Sequence, residues 1–123
     1  MPELEAREAA LEGALLDVAT ESWRLVRMIS RLIAKLDAGE GNRYASQVRY
    51  FQKKLADNLD ANGFSFVDVE GQIFDPGMAA AALNIADFGP EDALVVDQVI
   101  EPIIVGPEGL KRTGTVMLRR SET

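Results

Sequence analysis

The side chains that could carry out chemistry in this sequence are mainly carboxylates, because its 123 residues include neither histidine nor cysteine. Their absence removes the commonest general base, the commonest metal ligand and thiolate chemistry. Two acidic pairs, Asp57 with Asp60 and Glu91 with Asp92, are close enough in sequence for acid–base or metal chemistry. Charged side chains of this kind usually lie in solvent.

No other catalytic pattern is present. The serines and threonines have no histidine partner, and neither common type of glycine-rich phosphate loop occurs. We therefore expect a protein that is not an enzyme and that binds no cofactor or metal. An enzyme with an acidic site is the alternative, and metal-dependent turnover would reveal it.

The charges are distributed unevenly along the chain. The net charge is −7, yet eight of the thirteen Lys and Arg residues fall between Arg24 and Lys54. None falls between Leu55 and Leu110, where eleven acids lie. The negative net charge argues against nonspecific nucleic-acid binding. The acidic stretch either serves solubility or forms a protein-binding face with local basic contacts.

We expect a soluble cytoplasmic protein without a membrane segment. No apolar run approaches the roughly 20 residues that a membrane span needs. The N-terminal sequence MPELEAREAA is acidic and unlike a signal peptide.

The first third of the chain has the heptad pattern of a coiled coil, and a helix is predicted over residues 3–37. One row of positions seven residues apart is apolar throughout, and a second row is apolar at three of five positions. A helix of about 35 residues is about 50 Å long, too long to bury its apolar stripe within so small a protein. We therefore expect a homodimer with an interface formed by Leu4, Leu11, Leu15, Val18, Leu25, Ile29 and Leu32.

A second helix is predicted over residues 43–61. The two glycines within residues 37–42 break the first helix, Asn42 can cap the second, and Asn62-Gly63 ends it. The short connection predicts an antiparallel pair. Two such pairs, one per chain, would form a dimeric coiled-coil stalk that widens into a four-helix bundle, so residues 1–62 are interpreted as the helical dimerisation region.

Residues 63–123 are predicted to form a small, mainly β domain, which makes the fold class α+β. After Gly63 the apolar period changes to two, and ALVVDQVIEPIIV and TGTVMLRR have the composition or alternation of strands. Pro102 indicates an edge or a bulge. The alanines at 79–82 are ambiguous, since propensity alone favours a helix over residues 79–86.

Two adjacent stretches resemble the GrpE family, the nucleotide exchange factors of DnaK-type chaperones. They are FQKKLADNLDANGF and VEGQIFDPGMAAAAL, in which the residues at the family's positions are Gly63, Gly71, Phe74, Asp75, Pro76 and Ala81. The segment ALVVDQVIEPIIVGPEGLKRTGTVML is similar to the family's closing β segment, and Arg112 matches its late arginine. The motifs cover Tyr50 to Leu118, whereas residues 4–62 agree in architecture only.

The chain departs from the family at three places, as a short and divergent member would. Ala79-Ala80 replaces the family's His-Glu, and Glu101-Pro102-Ile103 replaces its Lys-Gly-Tyr. Arg112-Thr113-Gly114 replaces its Arg-Pro-Ala. The changed groups are mostly polar surface residues, while the apolar rhythm is kept.

The resemblance implies a co-chaperone that binds the ATPase domain of a DnaK-type chaperone and promotes ADP release by favouring its open form. It also implies a strand, rather than a helix, over about residues 80–87. The chaperone-binding residues that follow from it are Phe74, Pro76, Val99, Lys111, Arg112, Leu118 and, on the long helix, Arg24, Arg27 and Arg31.

Two alternatives stay open at this point. Phe74 and Pro76 either contact the chaperone or only shape the turn. The protein is either an exchange factor or a dimeric GrpE-like adaptor, a structural binding module that has lost exchange activity.

Overall fold

The fold changes from helices to strands near residue 62. In the computed structural model, which describes residues 1–121, the chain divides into two compact units, Met1–Asn62 and Gly63–Thr123. The first unit contains two α-helices and the second contains six short strands. The predicted α+β class, with two helices followed by a small β region, is therefore confirmed.

The first unit is a pair of helices, α1 over Pro2–Ile33 and α2 over Ala38–Ala61. Both bounds at the connection differ from the prediction, which extended the first helix to residue 37 and began the second at 43. The reason is the cap: Asp37, not Asn42, caps α2, and its Oδ1 accepts a hydrogen bond from the Glu40 N–H at 3.0 Å.

The two glycines predicted to break the helix lie instead within the first turns of α2. Gly41 is buried, and a Cβ there would lie at an ordinary contact distance, 3.4 Å, from the carbonyl oxygen of Ile33 at the end of α1. A glycine in a helix costs about 1 kcal/mol relative to alanine.

α1 has two apolar faces, and α2 covers one of them. Leu16, Ala19 and Val26 are buried and form the covered face. The apolar heptad row, which consists of five residues spaced seven apart, lies on the other face with exposures of 49–62% at Leu4, Leu11, Val18, Leu25 and Leu32. Leu15 and Ile29, from the second predicted row, are half-buried at its border. The heptad row is therefore accessible to a partner.

The second unit contains two three-stranded sheets. Its strands are β1 (Ser65–Val67), β2 (Ala80–Ala82), β3 (Leu94–Glu101), β4 (Ile103–Gly106), β5 (Gly109–Arg112) and β6 (Gly114–Arg120). One sheet has the order β1-β4-β5 and the other has the order β2-β6-β3. β2 runs parallel to β6, and the other pairs are antiparallel.

Two chain segments pass directly from one sheet to the other, β3 into β4 and β5 into β6. A single residue separates β3 from β4, and likewise β5 from β6; these residues are Pro102 and Thr113. Pro102 follows an irregularity in the β3–β6 register between Val99 and Glu101, which agrees with the bulge that the proline indicated. The buried core of the unit includes Val96, Ile104 and Val116, each 0% exposed.

The alanine run forms a strand that is shorter than predicted. β2 ends at Ala82, and residues Ile85–Asp87 form a 3₁₀ turn, so the prediction of a strand to about residue 87 is wrong beyond Ala82. β2 ends where the side chain of Asn84, in place of the backbone, pairs with the backbone of β6. Asn84 Nδ2 donates to the Leu118 carbonyl and Asn84 Oδ1 accepts from the Leu118 N–H, both at 2.9 Å.

We expect Gly114→Ala to destabilise the second unit by about 1–3 kcal/mol, the usual cost of overpacking. A Cβ on Gly114 would lie 2.7 Å from Ile103 Cγ1 and 3.0 Å from the Glu101 carbonyl oxygen. Chemical denaturation followed by circular dichroism measures the change. Gly13→Ala is the matched control, because nothing lies within 4 Å of its added Cβ, and it should be neutral or stabilising. Equal stability of wild type and Gly114→Ala would show that this contact is not tight.

Candidate protein-binding surfaces

The Phe-Asp-Pro-Gly sequence forms a hydrogen-bonded turn at the surface of the second unit. The Phe74 N–H donates to the Leu94 carbonyl at 2.9 Å, which attaches the start of the turn to β3. The Gly77 N–H donates to Asp75 Oδ1 at 2.9 Å. Phe74 is half-buried and Pro76 is exposed. The turn is thus held by its own sequence and presents at least one apolar side chain to solvent.

Ile73 is an additional apolar residue of this surface, beyond the residues predicted from the sequence. It is 77% exposed, although its backbone forms a β-bridge with Val95. Successive side chains of an extended segment alternate between its two faces, so the partial burial of Phe74 directs Ile73 outward. The sequence shows that these two side chains alternate, but only the fold decides which of them is buried. Ile73, Phe74 and Pro76 together are called the turn patch below.

Two of the predicted chaperone-binding residues belong to the core. Val99 on β3 and Leu118 on β6 are each 4% exposed. β6 is the central strand of its sheet and is paired on both sides. The assignment of Val99 and Leu118 to a binding surface is therefore wrong, because neither side chain can contact a partner of the folded protein.

The predicted basic contacts of the β unit lie on β5. Lys111 and Arg112 are both half-buried there, at the edge of the β1-β4-β5 sheet. The turn patch adjoins β3, in the other sheet. The two sheets are joined through the chain next to Arg112, since only Thr113 separates β5 from β6.

The three predicted arginines of α1 lie at spacings of three and four residues, which places them on one side of the helix. Arg24 forms an ion pair with Glu21 at 2.9 Å. The guanidinium of Arg27 lies 4.7 Å from the centre of the Trp23 ring, a cation–π distance. Arg31 is exposed in the last turn of the helix.

A groove of about 610 Å³ lies between the C-terminal half of α1 and the N-terminal half of α2. Its lining is mainly apolar and includes Leu25, Ile29, Leu32, Tyr44, Val48 and Phe51. Three of these residues belong to the predicted dimer interface. We call this feature the helical groove.

One member of each acidic pair is engaged in local structure. Asp57 forms an ion pair with Lys53 at 2.9 Å on the surface of α2. Asp92 Oδ2 accepts a hydrogen bond from the Gly89 N–H at 2.8 Å, and this bond, assisted by Arg120, holds the pKa of Asp92 below its ordinary value although partial burial opposes the shift. Asp92 is thus held as a carboxylate that closes a turn.

Within residues 1–121, no group of three or more acidic side chains is arranged to hold a metal ion. None of the helices in that range is long and apolar enough to cross a membrane. Compared with known proteins, the chain matches no family model, no curated protein and no solved structure.

Proposed function

We propose that this protein is a homodimeric, GrpE-like co-chaperone that binds the ATPase domain of a DnaK-type chaperone in the cytoplasm and promotes ADP release. The observation that carries the proposal is the turn patch. A Phe-Asp-Pro turn with an exposed apolar residue lies on a small β unit, which follows a helix pair with an exposed apolar heptad row. The order of these parts, and the motif residues within them, are those that the sequence shares with the GrpE family.

The proposed activity requires differential binding and no bond chemistry. The protein would bind the chaperone's nucleotide domain more tightly in its open form than in the closed form that holds ADP. By linkage, ADP then binds the complex more weakly by the same factor. A tenfold loss of ADP affinity needs only about 1.4 kcal/mol of such preference, which a small surface patch can supply.

Two kinds of contact are assigned to the β unit. The turn patch supplies apolar contact, and its exposed residues can bury their area against a partner without rearrangement of the core. Lys111 and Arg112 supply charged contacts from β5. Arg24, Arg27 and Arg31 of α1 are proposed as a second contact with the chaperone.

The homodimer is proposed from the heptad row and the helical groove. Five large apolar side chains, about half exposed or more, form a continuous stripe along α1, and the groove continues that apolar surface onto α2. Contiguous exposed apolar surface of this kind is characteristic of an interaction site. A second copy of the chain would cover it.

The test is the release of a fluorescent ADP analogue from the DnaK-type chaperone of the same organism, followed by stopped flow. We expect the wild-type protein to accelerate release about tenfold or more at micromolar concentration. Ile73→Asp combined with Arg112→Ala should abolish the effect, because the apolar patch gains a charge and a basic contact is removed.

Leu83→Asp is the matched control for that variant. Leu83 is also a strongly exposed apolar residue of the second unit, 64% exposed, but it lies outside the turn patch. The Leu83→Asp variant should accelerate ADP release as much as the wild-type protein does. An equal loss of activity in the control would show that the turn patch is not the contact, and an inactive wild-type protein would contradict the exchange function.

The second candidate is a dimeric adaptor that binds a partner without releasing nucleotide. The observation that favours it is the alanine strand: β2, with Ala79 before it, presents methyl groups where the family has His-Glu. A pull-down with the chaperone and a titration by calorimetry distinguish the candidates. Binding without accelerated ADP release would support the adaptor.

A further inference from the structure

A basic side chain shares one cross-strand row of the β unit with Ile73 of the turn patch. Ile73 forms a β-bridge with Val95 of β3, and Val95 is paired in register with Arg119 of β6. Residues directly opposite each other on neighbouring strands lie on the same face of a sheet. Ile73, Val95 and Arg119 therefore belong to one face, and we call them the Ile73–Arg119 row.

The two ends of this row are accessible, and its middle is not. Ile73 is 77% exposed, Val95 is 8% exposed, and the side chain of Arg119 is 47% exposed. Neighbouring strands lie about 4.8 Å apart, so about 10 Å separates the backbones of Ile73 and Arg119. The row thus presents one apolar and one cationic side chain within reach of a single protein surface.

The guanidinium of Arg119 is held loosely within its own chain. Its Nε lies 3.4 Å from Oδ1 of Asp97, and its Nη1 lies 3.5 Å from the Arg120 carbonyl oxygen. Both distances exceed the roughly 2.7–3.2 Å of an ordinary N–H···O hydrogen bond. The Asp97 side chain is itself 53% exposed, and ion pairs this exposed contribute little to stability. A guanidinium has more N–H donors than these two contacts use, so Arg119 can bind a carboxylate that approaches from outside.

The strand register distinguishes Arg119 from the other basic residues at this end of the chain. Lys111 and Arg112 lie on β5, in the other sheet. Arg120 follows Arg119 along β6 and is paired with Leu94, so it lies on the opposite face of the sheet. Of these four basic residues, Arg119 is the one whose register places it in a row with the turn patch.

We propose that Arg119 is a specificity-determining contact of this protein, which binds a carboxylate of the partner about 10 Å from the apolar site that receives Ile73. This inference rests on the proposed function, with the chaperone's ATPase domain as the partner, and adds a residue to the contacts assigned there. An arginine–carboxylate pair supplies geometric selectivity as well as charge. Arginine is also among the residues that most often dominate the energy of an interface.

Calorimetric titration of the full-length chaperone tests this contact. We expect Arg119→Ala to weaken binding about tenfold or more, since a hydrogen bond to a charged group is lost. Arg120→Ala is the matched control, because it removes the same charge from the neighbouring residue on the other face, and it should bind like wild type. The difference between Arg119→Ala and wild type should shrink at high salt, which screens exposed charge pairs.

Asp97→Asn separates a contact with the partner from a structural role of the ion pair. If Arg119 acted only through its pair with Asp97, removing either member would have the same effect on binding. If Arg119 binds a carboxylate of the partner, Asp97→Asn removes a competing acceptor, and this variant should bind at least as tightly as wild type. Equal losses in Arg119→Ala and Asp97→Asn would overturn the proposal, as would wild-type affinity in Arg119→Ala.

Circular dichroism melts establish that each variant is folded. Arg119→Gln, which keeps a polar side chain in the exposed row, repeats the titration if alanine lowers the melting temperature, and the same tenfold loss is expected. Wild-type affinity in a folded Arg119→Gln protein would contradict the contact.

The titration also distinguishes this inference from the proposed function. If Ile73→Asp abolishes binding while Arg119→Ala leaves it unchanged, the chaperone contact stands and the assignment of Arg119 is wrong. If the wild-type protein does not bind the chaperone, both are wrong. Because the titration measures binding and not ADP release, its result applies equally to an exchange factor and to an adaptor.

Discussion

Replacing Leu25 with aspartate should convert the proposed dimer into monomers, with dimerisation weakened about 100-fold or more. Leu25 lies on the heptad row and also lines the helical groove, so it contributes to both apolar surfaces. Burying a leucine side chain contributes about 1.5–3 kcal/mol. Because Leu25 is about half exposed in its own chain, about half of this contribution is lost at each of the two symmetric positions. The total of about 1.5–3 kcal/mol corresponds to a roughly 10- to 150-fold change in Kd. The carboxylate adds a desolvation cost.

Light scattering and sedimentation over a range of protein concentrations measure this change. Because Leu25 is about half exposed within its own chain, its replacement should leave helix content and melting of the separate chain nearly unchanged. Leu110→Asp, at a similarly exposed leucine of the β unit, is the control and should remain dimeric. A Leu25→Asp protein that stays dimeric at low concentration would refute the interface.

Asn84→Ala should destabilise the β unit by about 2–4 kcal/mol. The Asn84 side chain donates to the Leu118 carbonyl and accepts from the Leu118 N–H, at 2.9 Å in both bonds. Alanine would leave two backbone groups of the central strand without these partners, and each such partly buried group costs about 1–3 kcal/mol. Urea denaturation gives the free energy of unfolding.

Asn58→Ala is the matched control for this substitution. Asn58 Nδ2 also bonds a backbone carbonyl, that of Lys54, but on the exposed surface of α2 where water can take its place. Its loss should cost a few tenths of a kcal/mol, within the range of most surface substitutions. Similar losses in the two variants would show that the Asn84 bonds contribute little to stability.

The periodic features of the chain were predictable because they depend on local sequence. The seven-residue repeat of leucines predicts a long helix with an apolar row, and the structure contains α1 with that row at its surface. The β-branched segments predict strands, and β3, β4 and β6 lie within them. In both cases, side-chain spacing decides the element without reference to distant residues.

Two local features, the start of α2 and the length of the alanine strand, were predicted incorrectly because two signals competed. Asp37 and Asn42 are both good helix caps, and the sequence does not say which is used. The structure uses Asp37, which places Gly39 and Gly41 within the first turns of α2. The alanine run favours a helix by propensity, whereas the resemblance implied a strand over about residues 80–87. Pairing with β6 makes Ala80–Ala82 a strand, and the strand ends there.

The sequence by itself determined the absence of histidine and cysteine chemistry, the division into helical and β regions, and the apolar row of α1. Only the tertiary structure decided which side chains of that framework reach the surface. Val99 and Leu118 are buried because β3 and β6 pair around the core, and Ile73 is exposed because its neighbour Phe74 turns inward. Burial depends on contacts between residues distant in sequence, so the composition of a surface emerges only when the strands are paired.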